Sequence, residues 1–155
     1  MSNLINAIKI AFKYHKGQKD KCNQPFIFHP IRVMNSMNTN QNRIIAVLHD
    51  LIENSSANID LLVEYKFDKI IIDAIDSLTK RTNENYNDYI ERLCKNPNAL
   101  DVKLSDLDDN IRSLKFEHGK SKKCINKMKL YNDAYNRIVK EKKLIYLMEN
   151  NKNEL

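Results

Sequence analysis

The sequence has little glycine or proline and no tryptophan. Its 155 residues include two Gly and three Pro, and because both residue types interrupt helices, their scarcity favours a helical protein. No apolar run reaches the roughly 18 residues that a membrane-spanning helix requires. We therefore expect a helical protein that does not span a membrane, and the length is typical of a single domain.

Cysteine is also scarce. Cys22, Cys94 and Cys124 are odd in number, widely spaced and in no C-x-x-C pair, which argues against a disulfide framework and a zinc knuckle. The first residues, 1–4, lack the basic and apolar stretches of a signal peptide. Together these features predict a cytoplasmic protein with reduced cysteines.

The formal net charge is +6. Lysine greatly outnumbers arginine and asparagine is abundant, which favours a compositional bias over a dedicated nucleic-acid surface. No aromatic pairs on predicted strands interleave with the basic residues, so an RNA-binding sheet is not indicated. The positive field would nevertheless favour a small anionic substrate.

Apolar residues recur at helical spacing along most of the chain, which predicts an all-α bundle of seven or eight helices. A loop is expected at 17–28 and another around His118-Gly119. We expect residues 1–148 to form one domain and 149–155 to form a polar C-terminal tail. The predicted helices cover residues 4–16, 29–37, 41–53, 59–66, 68–78, 86–95, 97–114 and 121–148.

A His-Asp pair lies inside an apolar helical segment, Leu48-His49-Asp50-Leu51-Ile52-Glu53. A buried unpaired charge costs several kcal/mol, and metal coordination is a common reason to retain one. On a continuous helix, Glu53 would lie beside both members of the pair. His29 and Asp106 are two further candidate ligands. Two His and two Asp form a mixed nitrogen and oxygen site, which suits Mn²⁺ or Fe²⁺ better than structural zinc.

Four motifs occur in order along the chain, and together they resemble the HD-domain hydrolases of the RelA/SpoT type, including the small stand-alone alarmone hydrolases. The similarity extends over roughly residues 5 to 135. A small subgroup also has a pattern like Glu84-x-Tyr86-x-x-Tyr89-Ile90-x-Arg92. The four motifs are His15-Lys16-Gly17-Gln18, Pro25-Phe26-Ile27-Phe28-His29-Pro30, Leu48 to Glu53, and Val102-Lys103-Leu104-Ser105-Asp106 with Asn110-Ile111-Arg112.

The resemblance implies an all-α HD-type fold, a divalent metal, most suitably Mn²⁺, and removal of the 3′-pyrophosphate of (p)ppGpp by metal-activated water. It implies a catalytic role for Glu53 and contact with the nucleoside for Asn110. The basic side chains of the loops and of the Asp106 motif are candidates to hold phosphate, although Lys103 could instead pair with a nearby acid. The metal ligands implied are His29, His49, Asp50 and Asp106, and the candidate phosphate ligands are Lys19, Lys21, Lys80, Arg81, Lys103 and Arg112.

The sequence departs from the alarmone hydrolases at three places. Asn54 occupies the catalytic position after Glu53 at which the family has Asp, and because an amide cannot accept a proton, water activation would rest more heavily on Glu53. Asp20 lies near the position of a guanine-stacking Arg. Leu107-Asp108-Asp109 replaces a basic residue followed by an aromatic residue or His, and we expect Asp101, Asp108 and Asp109 to form a solvated acidic stripe, with a second metal as the alternative.

These departures leave other functions open. The same enzyme could hydrolyse another nucleotide, such as NADPH or a deoxynucleotide, and product identity would separate this from ppGpp hydrolysis. The domain could instead bind a nucleotide without turning it over. A nucleic-acid-binding module is the weakest alternative, and its signature would be an affinity that falls steeply with salt. The sequence is compatible with a monomer or a homodimer.

Overall fold

The computed structural model describes residues 3–118 and 121–153, and within them the predicted all-α fold is confirmed. No β-strand occurs in these residues, which contain one isolated bridge between Lys19 and Pro25. Gly119, in the predicted loop after His118, lies outside the described residues. The helices are α1 (Leu4–Tyr14), α2 (Phe28–Asn35), α3 (Asn40–Leu48), α4 (Leu51–Asn54), α5 (Ile59–Glu64), α6 (Lys69–Leu78), α7 (Tyr86–Cys94), α8 (Pro97–His118) and α9 (Lys122–Asn153).

Short polar side chains begin several of these helices. The side-chain oxygens of Asn3, Thr39, Asn58 and Asn85 each accept a hydrogen bond from a backbone N–H in the first turn of the following helix. Such N-caps satisfy donors that have no partner within the helix. Local sequence chemistry therefore sets where α1, α3, α5 and α7 begin.

The predicted helix over residues 41–53 is divided in two, and this is the main difference from the expected fold. The His49 ring contacts the carbonyl oxygen of Ala46 at 2.7 Å, which is the acceptor that the Asp50 N–H would use in a regular α-helix. Asp50 adopts φ −96° and ψ −1°, and α4 begins after it. Consequently Glu53 does not lie on one continuous helix with His49.

The C-terminal half of the chain is more helical than predicted. α8 continues past Leu114 to His118, and α9 continues past Met148 to Asn153. Residues 149–153 are therefore helical. Within the described part of the chain, no helix is both long and apolar enough to cross a membrane.

α3 lies at the centre of the bundle. Its residues 44–48 are all buried, and it packs against α1, α2, α6 and α8. Burial of such aliphatic side chains is the main stabilising contribution to a fold of this size. His49 directly follows this buried helix, so the candidate site is attached to the centre of the core.

Candidate active site

Three helices bring two histidines and an aspartate to one point. His29 lies in the first turn of α2, His49 follows the last turn of α3, and Asp106 lies within α8. One ligand atom from each lies within 4.8 Å of the others. The Oδ1 atom of Asp106 is 3.1 Å from Nε2 of His29 and 3.6 Å from Nε2 of His49. Three residues distant in sequence thus form one cluster.

Asp50, the fourth predicted ligand, faces the same point. Its Oδ2 atom is 3.5 Å from Nε2 of His29 and 3.4 Å from Nε2 of His49. His49 and Asp50 together form the break between α3 and α4, and both side chains face one centre although they are adjacent in sequence. All four predicted ligands are therefore neighbours in the structure.

The orientation of the His49 imidazole ring fits a metal ion. Because a backbone carbonyl can only accept, the contact between Nδ1 of His49 and the Ala46 oxygen places the proton on Nδ1. Nε2 of His49 is buried and has no hydrogen-bond partner among the described residues. An orphaned ring nitrogen facing two carboxylates is an unfavourable arrangement unless another group binds there. The cluster is compatible with a divalent metal ion.

The charges in the cluster depend on one another. Burial lowers the pKa of His29, but hydrogen bonds to Asp106 and Asp109 outweigh this effect and raise the pKa to about 10. Burial raises the pKa of Asp106, but the neighbouring Lys103 ammonium and both histidines hold it well below its usual range. Protons and cations thus compete for the same carboxylates, as expected where a metal would bind.

The expectation that Asp109 forms part of a solvated stripe is wrong. Its Oδ2 atom lies 2.7 Å from Nδ1 of His29, and both of its oxygens accept hydrogen bonds from Arg32, at 2.7 and 2.9 Å. Its side chain is 16% exposed, whereas that of Asp108 is 51% exposed. Asp109 follows Asp106 by three residues, and this helical spacing was the signal that could have placed it on the same face.

Lys103 and Asn110 both contact Asp106. The Lys103 ammonium is 2.7 Å from Oδ2 of Asp106, so the structure shows the ion pair that the sequence left open. The Asn110 side-chain amide donates to the backbone oxygen of Asp106 at 3.0 Å and to its Oδ1 atom. Three successive turns of α8 therefore hold this carboxylate in place.

A cleft of about 400 Å³ opens beside the cluster, a volume within the usual range for small-molecule sites. Glu53, Asn54, Lys19 and Lys21, all predicted site residues, line this cleft. Oε2 of Glu53 accepts a hydrogen bond of 2.9 Å from the backbone N–H of Lys80, which holds the carboxylate beside the cleft.

Arg112 is not among the residues that line the cleft. Its guanidinium pairs with Asp108 at 2.5 Å on the protein surface, and its side chain is 71% exposed. This position does not support its predicted contact with phosphate.

Several lining residues were not predicted as site residues. Tyr86, Tyr89 and Tyr131 form an aromatic wall, with ring centroids 5.8 Å apart for the first two and 6.1 Å apart for Tyr86 and Tyr131. Lys127, also on α9, lines the cleft beside them. The subgroup pattern contains Tyr86 and Tyr89 and could have indicated them. No motif marks the residues of α9, whose position depends on tertiary packing.

The sequence comparisons find relatives among the enzymes of alarmone metabolism. No protein-family model matches the chain. A guanosine-3′,5′-bis(diphosphate) 3′-pyrophosphohydrolase of Aquifex aeolicus is 29% identical over 139 residues, which cover 81% of this chain and 20% of the relative. A probable enzyme of the same name from Mycoplasma genitalium is 31% identical over 162 residues, which cover 87% of this chain and 22% of the relative. The chain thus spans about a fifth of the length of these curated relatives.

A solved structure extends the comparison over the whole fold. The structure of a metazoan ortholog of SpoT that hydrolyses ppGpp matches with a TM-score of 0.73 and covers 96% of each chain, at 18% sequence identity. At this identity the match shows a shared fold. Sequence and fold together show that this chain is similar to the HD-type RelA/SpoT hydrolases.

Proposed function

We propose that this protein is a metal-dependent nucleotide pyrophosphohydrolase that removes the 3′-pyrophosphate of (p)ppGpp, with Mn²⁺ as its metal. The observation that carries the proposal is the convergence of His29, His49, Asp50 and Asp106 on one point beside a cleft of nucleotide size. The named activity of the relatives supports the choice of substrate.

Four side chains would hold the ion, and the rest of the site would handle the substrate. A divalent ion bound by these ligands supplies Lewis acidity towards water and phosphoryl oxygens. Glu53 accepts the proton of the attacking water, and the hydrogen bond from Lys80 N–H to its Oε2 atom keeps the carboxylate oriented. Water attacks the phosphorus bonded to the ribose 3′ oxygen, and its oxygen is retained in the pyrophosphate product. The P–O bond to the ribose breaks, and the departing 3′ oxygen keeps the electron pair and takes up a proton from solvent to become the 3′-hydroxyl of GDP.

The lining of the cleft suits a nucleotide with several phosphates. Lys19, Lys21 and Lys127 place ammonium groups along it, and such groups bind phosphate oxygens as point charges. The tyrosine wall at Tyr86 and Tyr131 offers flat apolar surfaces on which a base can stack. Cationic and aromatic groups in one cleft match the two chemical parts of a nucleotide.

Asp20 favours a second candidate, hydrolytic release of phosphate from another nucleotide such as NADPH or a deoxynucleotide. This carboxylate lines the cleft near the place of the family's guanine-stacking Arg. Its Oδ1 atom accepts hydrogen bonds from the backbone N–H groups of Cys22 and Gln24, both at 2.9 Å. Asp20 thus shapes its loop and offers no stacking surface, so the tyrosine wall would recognise the base.

The deciding experiment is turnover of ppGpp with added Mn²⁺, read by product identity beside NADPH and a panel of nucleotides. Pyrophosphate and GDP from ppGpp are the expected products, and Asp106→Ala should abolish both metal binding and turnover. Asp101→Ala, at a surface carboxylate paired with Lys142, is the matched control and should retain both. Activity on another nucleotide alone would replace the substrate, and tight nucleotide binding without turnover would indicate a non-catalytic domain.

A further inference from the structure

A carboxylate supports His29 on the side away from the cluster. The Nδ1 atom of His29 is 2.7 Å from Oδ2 of Asp109, while Nε2 faces Asp50 and Asp106. The side chains of His29 and Asp109 are 11% and 16% exposed. The contact is therefore well shielded, and little solvent competes for the ring proton.

Arg32 in turn fixes this carboxylate. Its Nε atom donates to Oδ1 of Asp109 at 2.7 Å, and its Nη2 atom donates to Oδ2 at 2.9 Å. Such a bidentate pair restricts both the position and the rotation of the carboxylate plane. Arg32 lies one turn after His29 on α2, so a single helix turn supplies both the ring and the clamp that holds its partner.

We propose that Asp109, clamped by Arg32, is a positioning residue that keeps the His29 proton on Nδ1 and presents the Nε2 lone pair to the metal. The inference rests on the metal centre of the proposed function. A carboxylate on the far nitrogen of a metal-binding imidazole fixes its orientation and raises its basicity. His49 has a backbone carbonyl in the same role, so the two histidines receive unequal support.

A purely structural role is the competing explanation, because the pair also joins α2 to α8. A second contact already joins the end of α2 to α8, where the hydroxyl of Ser36, the residue after α2, lies 2.5 Å from that of Ser105. Helix docking therefore does not depend on the ion pair alone. Metal affinity is the property that separates positioning from docking.

The test compares Mn²⁺ dissociation constants, measured by calorimetry, for the whole protein and its variants. Asp109→Ala should weaken Mn²⁺ binding by about 10- to 100-fold, the usual effect of removing such a partner. Asp109→Asn keeps an acceptor oxygen and should recover part of the affinity. Asp108→Ala is the matched control, since this neighbouring carboxylate pairs with Arg112 at the surface, and its affinity should equal that of the wild type.

Two further variants make each outcome decisive. If circular dichroism shows that metal-free Asp109→Ala is unfolded, Arg32→Gln becomes the deciding variant. The Arg32 side chain is 48% exposed, and its replacement should weaken Mn²⁺ binding less strongly than the loss of Asp109. Unchanged affinity in a folded Asp109→Ala protein would overturn this inference while His29→Ala still abolishes binding. Undiminished binding in His29→Ala would overturn the metal centre itself and this inference with it.

Discussion

The side-chain amide of Gln18 donates a hydrogen bond of 2.7 Å to the backbone carbonyl oxygen of Asn54. The oxygen of the same amide lies 2.8 Å from Nδ1 of the buried His15. The segment after α1 is thereby joined to the end of α4, which carries Glu53. The position of the proposed proton acceptor thus depends on a motif that contributes no predicted ligand.

Replacing Gln18 by Glu should reduce turnover more than substrate binding. The variant removes the N–H donor and places a carboxylate against a carbonyl oxygen, so the segment of Glu53 would move. We expect a kcat at least about tenfold lower, because small displacements of catalytic groups have large kinetic effects. The free energy of unfolding should fall by about 1–3 kcal/mol, the usual effect of leaving a polar group without its partner.

Gln41→Glu is the control for this change, since Gln41 donates to Asn98 at 3.1 Å, and it should leave kcat unchanged. Steady-state kinetics and urea unfolding on both variants separate the two effects. A less stable Gln18→Glu protein with normal kcat would limit the role of Gln18 to stability.

Lys103→Met should destabilise the metal-free protein and have less effect on the metal-loaded protein. Lys103 and Asp106 form a pair whose side chains are 12% and 6% exposed, and removing one partner of a buried pair typically costs about 3–5 kcal/mol. In the variant, bound Mn²⁺ would compensate the charge of Asp106 in place of the missing Lys103 ammonium. Urea unfolding with and without saturating Mn²⁺ measures the difference.

Lys103→Met/Asp106→Asn is the informative companion to this variant. It removes both charges, so it should recover much of the lost stability while losing metal binding. If Lys103→Met lowered the free energy of unfolding equally with and without Mn²⁺, the ion would not be replacing the charge of the ammonium.

The sequence predicted the helices well where their signals are local. Apolar spacing predicted helices over 41–53 and 86–95, and these helices begin at Asn40 and Tyr86, where the caps Thr39 and Asn85 act within the first turn. The division at His49 was missed because apolar spacing does not report competition between a side chain and the backbone for the Ala46 carbonyl. Apolar periodicity therefore predicted that this helix forms, but it did not predict where the helix ends.

The site was predictable to the extent that the family resemblance reached it. His29 and Asp106 are far apart in sequence, and their spacing could not have predicted that Nε2 of His29 lies 3.1 Å from Oδ1 of Asp106. The structure excludes Arg112 from the cleft lining and adds Tyr131 from α9. Both differences depend on which face of a helix packs inward, which a single motif does not encode.

Glu84 should make the loop before α7 sensitive to acid. Its carboxylate accepts hydrogen bonds from Arg92 Nε at 2.7 Å and Nη2 at 2.8 Å, and these bonds hold the pKa of Glu84 at about 2. A carboxyl group with a lowered folded-state pKa stabilises the protein above its unfolded pKa, near 4.5. That contribution is lost as the pH falls from about 4.5 towards 2.

Glu84→Gln should therefore lower the free energy of unfolding at pH 7 by about 1 kcal/mol, since solvent screens part of the pair. Its stability curve should meet that of the wild type near pH 2. Glu91→Gln, which disrupts a looser surface contact of 3.5 Å with Arg137, is the control and should differ little at either pH. If the free energies of unfolding of Glu84→Gln and wild type differed by the same amount from pH 7 to pH 2, the charge of Glu84 would not be the cause of the lost stability.

Glu53→Gln should abolish most turnover while leaving metal binding intact. The amide keeps the size of the side chain but cannot accept a proton, and loss of a positioned general base typically slows a reaction by about 10²- to 10⁴-fold. Because Glu53 is outside the four-residue cluster, calorimetry should show an unchanged Mn²⁺ affinity. Glu64→Gln, at an exposed position on α5, should leave both properties as in the wild type. If Glu53→Gln retains full kcat, another group takes the proton, and an added carboxylate in Asn54→Asp should then leave the rate unchanged as well.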